Sequence, residues 1–264
     1  MPQNNKIAVE FDNVSYSQNG RSLVSNLNFT ISQGEVLVLL GRSGSGKTTT
    51  IKLINRLLIP TQGEVLFEGV PTSKLNEIKL RRKIGYVIQE TGLFPHFTVE
   101  RNIGLVPSLE GWQPRQIKTR VYELLQRVGL EPELFAKRYP RQLSGGQRQR
   151  VGVARALAAD PPVLLMDEPF GALDPVTRLE IQQQFRQLQQ QLGKTVVFVT
   201  HDIQEAFTLA SRIGMMQAGQ LVVLETPAQF LKSPQPEVQA FVKGLPQFAV
   251  YNAGKEDGWG TKSE

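Results

Sequence analysis

The 264-residue chain is built around an eight-residue loop, Gly41-Arg42-Ser43-Gly44-Ser45-Gly46-Lys47-Thr48. The loop follows the apolar run Val36 to Leu40, and it leads into apolar residues at helical spacing: Ile51, Ile54 and Leu57. The sequence therefore predicts a strand that enters a helix through a glycine-rich turn. In that context the pattern G-x-x-x-x-G-K-[ST] indicates a phosphate-binding loop, because glycines let backbone N–H groups and the helix N-terminus face phosphate oxygens.

The last two side chains of this loop indicate a nucleoside triphosphate with Mg²⁺. Lys47 supplies a positive charge for the β- and γ-phosphates, and the Thr48 hydroxyl is a ligand for Mg²⁺. The alternative for the same residues is a glycine turn with an incidental lysine. The flanking strand and helix favour the phosphate-binding interpretation.

Composition limits the classes of protein. Hydrophobic residues make up 40% of the chain, which suits a globular protein with one large or two modest domains. No apolar run approaches the roughly 18 residues that span a bilayer, and the polar start, Met1 to Asn5, lacks the apolar core of a signal peptide. Cysteine is absent, which excludes disulfides and thiolate metal sites. We therefore expect a protein that neither spans a membrane nor is exported.

The net charge of +6, with a pI near 9.6, leaves the partner open. It fits a nucleic-acid surface, a membrane-facing surface or neither. The densest basic clusters are residues 79–83 and 137–150. We interpret them as solvated helix faces together with arginines near a polyphosphate.

The pattern of apolar residues predicts an α/β fold. Alternation from Ile7 to Tyr16, the turn signal Asn19-Gly20 and an apolar run to Ile31 predict an antiparallel hairpin. Four runs predict a parallel core sheet: Val36–Leu40, Ile84–Ile88, Val163–Met166 and Thr195–Thr200. We expect one nucleotide-binding domain over residues 1–243, with a helical subdomain at about residues 90–160 and a disordered tail at 244–264.

Polar residues follow the predicted core strands, where open parallel sheets bind their ligands. We predict that Asp167 holds Mg²⁺ and that Glu168 is the general base that polarises the attacking water. Gln89 ligates Mg²⁺ or orients that water, and His201 hydrogen-bonds the γ-phosphate. Each residue alone has an ordinary alternative, such as a helix cap or a loop amide. Together with the phosphate loop they indicate nucleotide hydrolysis.

The segment Leu143-Ser144-Gly145-Gly146-Gln147 predicts a second anion site. Ser144 and Gln147 have the spacing of a capping box, and a glycine-flanked helix N-terminus carries roughly half a positive charge. Two anion sites in one chain indicate a nucleotide shared between two copies, whereas an ordinary capped helix does not explain the paired glycines. Asp174-Pro175 predicts another helix start. Tyr16 either stacks on an adenine or packs on the core as an edge-strand aromatic.

Together these residues resemble the nucleotide-binding subunit of ABC transporters, over about residues 7–243. In this resemblance residues 41–48 are Walker A, residues 163–167 are Walker B with the catalytic Glu168, and residues 143–147 are the signature. Gln89 is the Q-loop glutamine, residues 172–174 are the D-loop and His201 is the switch histidine. The resemblance implies a P-loop NTPase fold with a parallel core sheet, an antiparallel β subdomain and a helical signature subdomain.

The same resemblance implies a head-to-tail homodimer with two ATP molecules. Each ATP lies between Walker A of one copy and Ser144, Gly146 and Gln147 of the other. The expected nucleotide contacts are Tyr16, Gly41, Arg42, Ser43, Gly44, Ser45, Gly46, Lys47, Thr48, Thr49, Ser144, Gly145, Gly146, Gln147, Asp167 and Asp174. The expected Mg²⁺ ligands are Thr48, Gln89 and Asp167, and the expected catalytic residues are Glu168, His201 and Gln89.

Residues 84–89, 92–99 and 151–162 are similar to importer ATPases for osmoprotectants such as glycine betaine, carnitine, choline or proline. This similarity implies a location on the cytoplasmic face of the cell membrane, a permease docked through Gly92 to Asn102, and an extracytoplasmic binding protein. No nucleic-acid partner is expected. Within the docking segment, Leu93 to Phe97 are either an exposed apolar patch or internally packed residues.

The sequence departs from the importer group in two ways, at the surface that meets the permease and in where it ends. Glu90 and Arg101 stand where that group has glutamine and an acid. Many members continue into paired CBS domains, and this sequence ends at Glu264, so we expect no regulation through such a module. Two alternatives remain open: the ATPase of an exporter or of another solute importer, and a soluble ABC ATPase that acts on nucleic acid or ribosomes.

Overall fold

The computed structural model describes residues 6–89, 91–243 and 245. The predicted tail, apart from Leu245, and the departure at Glu90 lie outside the described residues. The strands are β1 (Ile7–Gln18), β2 (Arg21–Ser32), β3 (Val36–Leu40), β4 (Gln62–Phe67), β5 (Val70–Pro71), β6 (Ile84–Val87), β7 (Val163–Asp167), β8 (Thr195–Thr200), β9 (Arg212–Gln217) and β10 (Gln220–Glu225). The α-helices are α1 (Lys47–Ile54), α2 (Glu77–Arg82), α3 (Val99–Ile103), α4 (Leu105–Leu109), α5 (Pro114–Arg127), α6 (Pro132–Phe135), α7 (Gly145–Leu157), α8 (Pro175–Leu192), α9 (Ile203–Leu209), α10 (Pro227–Phe230) and α11 (Pro236–Val242).

A six-stranded sheet forms the centre of the molecule, in the order β10-β9-β3-β8-β7-β6. Neighbouring strands from β9 to β6 are parallel, and only β10 is antiparallel to its neighbour. Every residue of β3, β7 and β8 is buried, as expected for apolar strands covered on both faces. The predicted parallel core sheet is confirmed, and β9 joins it beside β3.

A second, antiparallel sheet packs against one face of the core, in the order β2-β1-β4-β5. The hairpin of β1 and β2 turns at Asn19-Gly20, as the sequence predicts. The rings of Phe11 and Phe29 stack with centroids 4.5 Å apart and fix this sheet internally. One hydrophobic cluster joins the antiparallel sheet to α1 and to side chains of β3, β7 and β8. The predicted antiparallel subdomain is therefore present.

Helices cover the other side of the core. The apolar face of α5, with Val121, Leu124 and Leu125, packs into the same cluster as α7, α8 and the opposite faces of β3 and β8. Helix α5 ends at Arg127, and Gly129 follows in a left-handed conformation. Among the residues described between 91 and 144, the regular structure is entirely helical. No described helix is both long enough and apolar enough to cross a bilayer.

The first helix is shorter than the apolar spacing predicts. It ends at Ile54, and Leu57 lies beyond it with 49% of its surface exposed. Arg56 adopts a left-handed conformation with φ of 54°, and its guanidinium donates to the carbonyl oxygens of Thr72 and Leu75 at 3.1 and 2.9 Å. These contacts hold the turn that ends the helix. The prediction that Leu57 belongs to the first helix is therefore wrong.

Candidate functional site

The glycine-rich loop connects β3 to α1 at the carboxyl edge of the core sheet. Gly46 caps the helix with φ of 103°, which strongly favours glycine, and a Cβ there would lie 2.9 Å from the carbonyl oxygen of Leu23. The first turn of α1 carries no acidic residue, so the positive end of the helix dipole is not neutralised there. This geometry suits a bound phosphate.

Lys47 lies inside the loop and is only 4% exposed. Its Nζ donates to the carbonyl oxygens of Gly41 and Arg42 at 2.9 and 3.0 Å. Burial lowers the pKa of Lys47, while the carboxylates of Glu168 and Asp167 act in the opposite direction. The side chain is therefore held where a phosphate on the loop would meet it.

Thr48 and Asp167 bring α1 and β7 together. The Thr48 Oγ1 donates to the Asp167 Oδ1 at 2.9 Å. Burial raises the pKa of Asp167, and the hydrogen bond from Thr48 opposes this shift. Mg²⁺ prefers oxygen ligands and is commonly held by one or two carboxylates together with substrate phosphates. The adjacent hydroxyl and carboxylate oxygens therefore fit Mg²⁺, although no three His, Cys, Asp or Glu side chains cluster as a metal site within the described part of the chain.

Glu168 and His201 meet at the ends of β7 and β8. The distance from His201 Nδ1 to Glu168 Oε2 is 3.2 Å, and the imidazole is 61% exposed. Glu168 has φ of 45°, and its backbone N–H donates to the Val199 carbonyl at 2.9 Å. A left-handed conformation costs free energy at a residue other than glycine, so the surrounding structure must enforce it. The arrangement places a carboxylate and an imidazole beside the Thr48 and Asp167 pair.

Two predicted site residues make no side-chain hydrogen bond to this cluster among the described residues. Gln89 is exposed and lies two residues beyond the end of β6. Tyr16 is half-buried, packs on the antiparallel sheet and pairs across the strands with Val24, which closely approaches Gly46. Tyr16 therefore packs on the core and also lies near the phosphate loop. The functional assignments of both residues stay predictions.

The helix start at Ser144 has the predicted capping box. The Ser144 Oγ accepts from the Gln147 N–H at 3.2 Å, and the Gln147 Oε1 accepts from the Ser144 N–H at 3.0 Å. Packing explains one of the paired glycines, because a Cβ on Gly146 would lie 2.7 Å from Thr177 Cγ2 on α8. Gly145 is exposed, and a Cβ there would have ordinary contact distances. Only Gly145 therefore lacks a packing explanation within the chain.

Asp174 caps α8, as the sequence predicts. The Asp174 Oδ1 accepts from the Thr177 N–H at 3.0 Å, and the hydrogen bonds that Thr177 donates lower the pKa of Asp174. Arg178, one turn into α8, donates to the carbonyl oxygen of Leu173 at 2.9 Å. Thr177 therefore links the start of α8 to the start of α7, since it also contacts Gly146.

The structure adds residues that motif spacing did not reveal. Burial raises the pKa of Tyr86 on β6, and the charge of Asp167 adds to this shift. On α7, Arg155 donates to the carbonyl oxygens of Thr91 and Gly92 at 2.6 and 2.7 Å, which ties α7 to the segment after Gln89. The sequence offers one signal that could have identified Tyr86 as a site residue: its hydroxyl group lies within an otherwise apolar strand.

The segment from Gly92 to Asn102 has a mixed surface. Phe94 is 41% exposed, whereas Leu93 and Phe97 are half-buried. The guanidinium of Arg101 lies over the Phe97 ring, 3.9 Å from its centroid. The predicted patch is thus exposed at Phe94 and His96, while Leu93 packs against the core.

Comparison with known proteins gives one consistent family. The family model described as "ABC transporter" matches residues 24–171. The chain is 50% identical to the glycine betaine/carnitine/choline transport ATP-binding protein OpuCA of Bacillus subtilis, over 84% of this chain and 59% of that protein. It is also 50% identical to the glycine betaine uptake system ATP-binding protein YehX of Escherichia coli, over 86% of this chain and 73% of that protein.

A solved structure has the same fold. It is a dimeric, post-hydrolysis state of the ATP-binding cassette MJ0796 bound to ADP and Pi, with a TM-score of 0.74 and 38% identity. The match covers 83% of this chain and 98% of that one. The chain spans about three fifths of the length of several curated relatives that it matches.

Proposed function

Because this chain belongs to the ABC transporter family, we propose that it is the ATP-hydrolysing subunit of an importer for an osmoprotectant such as glycine betaine, carnitine, choline or proline. The observation that carries the ATPase proposal is the convergence of four groups at one sheet edge. They are the loop lysine Lys47, the Thr48 and Asp167 pair, Glu168 and His201.

The proposed reaction is attack of water on the γ-phosphate of ATP. Glu168 accepts a proton from the water as the nucleophile forms, and His201 holds that carboxylate and donates toward the γ-phosphate. Lys47 and the N–H groups of residues 41–48 stabilise the charge on the phosphates. Thr48 and Asp167 would hold Mg²⁺, with Gln89 as the third ligand that the sequence predicts, and the ion would supply further charge neutralisation when bound.

The proposed active form is a homodimer that shares two ATP molecules. Gly145 supports this proposal, because its small size is not required by packing within one chain and leaves the start of α7 open to an anion from a second copy. The dimeric cassette MJ0796 is bound to ADP and Pi and has the same fold. ATP should therefore drive two copies together, and hydrolysis should release them.

The proposed membrane partner is a permease that docks on the segment from Gly92 to Asn102. The exposed rings of Phe94 and His96 offer an apolar contact, and Arg155 links this segment to the signature helix. Movement of α7 on ATP binding would thus reach the docking surface directly. The chain would then lie on the cytoplasmic face of the membrane, and an extracytoplasmic binding protein would contact the permease rather than this subunit.

The proposed solute class rests on the names of the relatives. OpuCA is named for glycine betaine, carnitine and choline, and YehX is named for glycine betaine. These solutes share a quaternary ammonium group. The permease and the binding protein select the solute, so the test must include them.

Co-purification tests the partner and the solute. Tagged Glu168→Gln protein is expressed in its native cell, the membranes are solubilised with ATP present, and the proteins recovered are identified. We expect a permease and a dimer that depends on ATP, with Lys47→Ala as the control that fails to bind ATP. Uptake of labelled glycine betaine, carnitine, choline and proline by cells with and without the subunit then names the solute. Recovery of ribosomes or nucleic acid without a membrane protein would contradict the transport proposal.

A further inference from the structure

A buried carboxylate lies one turn beyond His201, outside the catalytic cluster. Glu205, on α9, is only 3% exposed. Burial raises the pKa of Glu205, and hydrogen bonds from neighbouring groups oppose this shift. A buried carboxylic group is costly unless it has partners, so its contacts indicate why it is there.

The first contact of Glu205 reaches the end of β8. The Thr200 Oγ1 donates to the Glu205 Oε2 at 2.5 Å, and the same Oγ1 accepts from the Asp202 N–H at 2.9 Å. The two residues that flank His201 are therefore joined through one hydroxyl group. Because the Thr200 hydroxyl donates its hydrogen to Glu205, a lone pair of the hydroxyl oxygen remains free to accept from the Asp202 N–H.

The second contact of Glu205 reaches α8. The Gln182 Nε2 donates to the Glu205 Oε1 at 3.1 Å, and Gln182 is itself 3% exposed. A second link runs parallel to it, since Arg178 pairs with Asp202 at 3.6 Å. Both links start from the helix that begins at the D-loop, so the backbone on either side of His201 is fixed to that helix.

We propose that Glu205 is a positioning residue for ATP hydrolysis: its carboxylate fixes the turn from Thr200 to Asp202 and so holds the His201 imidazole against Glu168. This inference rests on the proposed ATPase function. His201 is 61% exposed and has few contacts of its own, so its position depends on the backbone that carries it. Without the Glu205 acceptor, the Thr200 hydroxyl is free to rotate, and the Asp202 amide loses a fixed partner. The His201 imidazole then samples several positions, and the one that lies 3.2 Å from Glu168 is only one of them.

A double-mutant cycle tests this role. Glu205→Ala, His201→Ala and the combined variant are compared with the wild type for kcat and KM of MgATP hydrolysis. We expect Glu205→Ala to lower kcat roughly 10- to 100-fold, as misplacement of a catalytic group does, with KM nearly unchanged. In the His201→Ala background, Glu205→Ala should lower kcat no further.

Two further variants provide the controls. Glu205→Gln keeps an acceptor for Thr200 and should retain most of kcat, because Gln182 can rotate its amide to pair with the new side chain. Gln204→Ala changes an exposed neighbour on the same helix and should leave kcat unchanged. If circular dichroism shows that Glu205→Ala does not fold, Thr200→Val replaces it in the double-mutant cycle with His201→Ala.

Equal fold losses in kcat with and without His201 would overturn the positioning role, as would a change confined to KM. A Glu205→Gln variant as impaired as Glu205→Ala would also overturn it. Wild-type protein that binds ATP without hydrolysing it would instead overturn the proposed function and remove the basis of the inference. The wild-type measurement therefore separates the two failures.

Discussion

The loop that carries the proposed permease contact depends on one fully buried amide side chain. Asn102 is 0% exposed, and its Oδ1 accepts from the Phe94 N–H at 2.8 Å. Its Nδ2 donates to the carbonyl oxygens of Phe94 and Phe97 at 3.1 and 3.2 Å, and to that of Thr98 at 3.0 Å. The Thr98 carbonyl also receives the backbone N–H of Asn102. The Phe94 carbonyl likewise keeps the backbone N–H of Phe97, so Asn102→Ala removes the partner of two groups, the Phe94 N–H and the Phe97 carbonyl.

The expected effect is local opening of residues 94–98. At about 1 kcal/mol for each of the two groups left without a partner, opening becomes easier by about 2 kcal/mol, which is roughly 30-fold in the opening equilibrium. Native-state hydrogen exchange measured by mass spectrometry should show that acceleration at Phe94, while amides of α5 keep their protection.

The control for this experiment is Arg101→Lys, on the same short helix as Asn102. It keeps a cation near the Phe97 ring and leaves the backbone contacts of Asn102 intact. Exchange in residues 94–98 should then match the wild type. Unchanged protection in Asn102→Ala, or an equal acceleration throughout the chain, would refute the view that this side chain alone holds the loop.

Three further changes test packing and charge. Gly146→Ala places a Cβ 2.7 Å from Thr177 Cγ2 and should lower stability by about 1–3 kcal/mol in thermal melts; Thr177→Ser should restore part of the loss, and no restoration would exclude this contact as the cause. Arg212→Met removes the guanidinium that lies 2.7 Å from the carboxylate of Glu35, a side chain that is 8% exposed. The free energy of unfolding in urea should fall by roughly 2 kcal/mol, and an unchanged midpoint would show that this ion pair does not stabilise the fold. Burial holds the pKa of Glu205 above its unfolded value, so ionisation of Glu205 destabilises the fold as pH rises. Glu205→Gln should therefore gain melting temperature relative to wild type as pH rises above the ordinary glutamate pKa of about 4.3, and a pH-independent difference would contradict this sign.

Local patterns predicted the elements that carry the chemistry. The run from Val36 to Leu40, the loop that follows it and the helix start at Lys47 are set by neighbouring residues, and the structure has them as the sequence predicts. The caps at Ser144 and Asp174 are equally local, because each depends on a side chain three residues from its partner. The end of α1 is different, since Arg56 turns the chain by reaching Thr72 and Leu75.

Long-range packing decided what the sequence did not reveal. The sequence predicts Gly146 only as a nucleotide contact. The structure gives a second reason for a glycine there, because α8 brings Thr177 against it. Glu205 has the spacing of an ordinary helix residue, and its burial depends on Gln182, which lies 23 positions away. The position of β9 beside β3 likewise follows from sheet order, which no local pattern specifies.

The central claim is that Glu168 is the general base for ATP hydrolysis at this site. Its most direct test is the single-turnover rate of hydrolysis of saturating MgATP by Glu168→Gln and by the wild type. The predicted result is unchanged ATP affinity with hydrolysis slower by about 10²- to 10⁴-fold in the variant. Equal rates in the two proteins would contradict the claim.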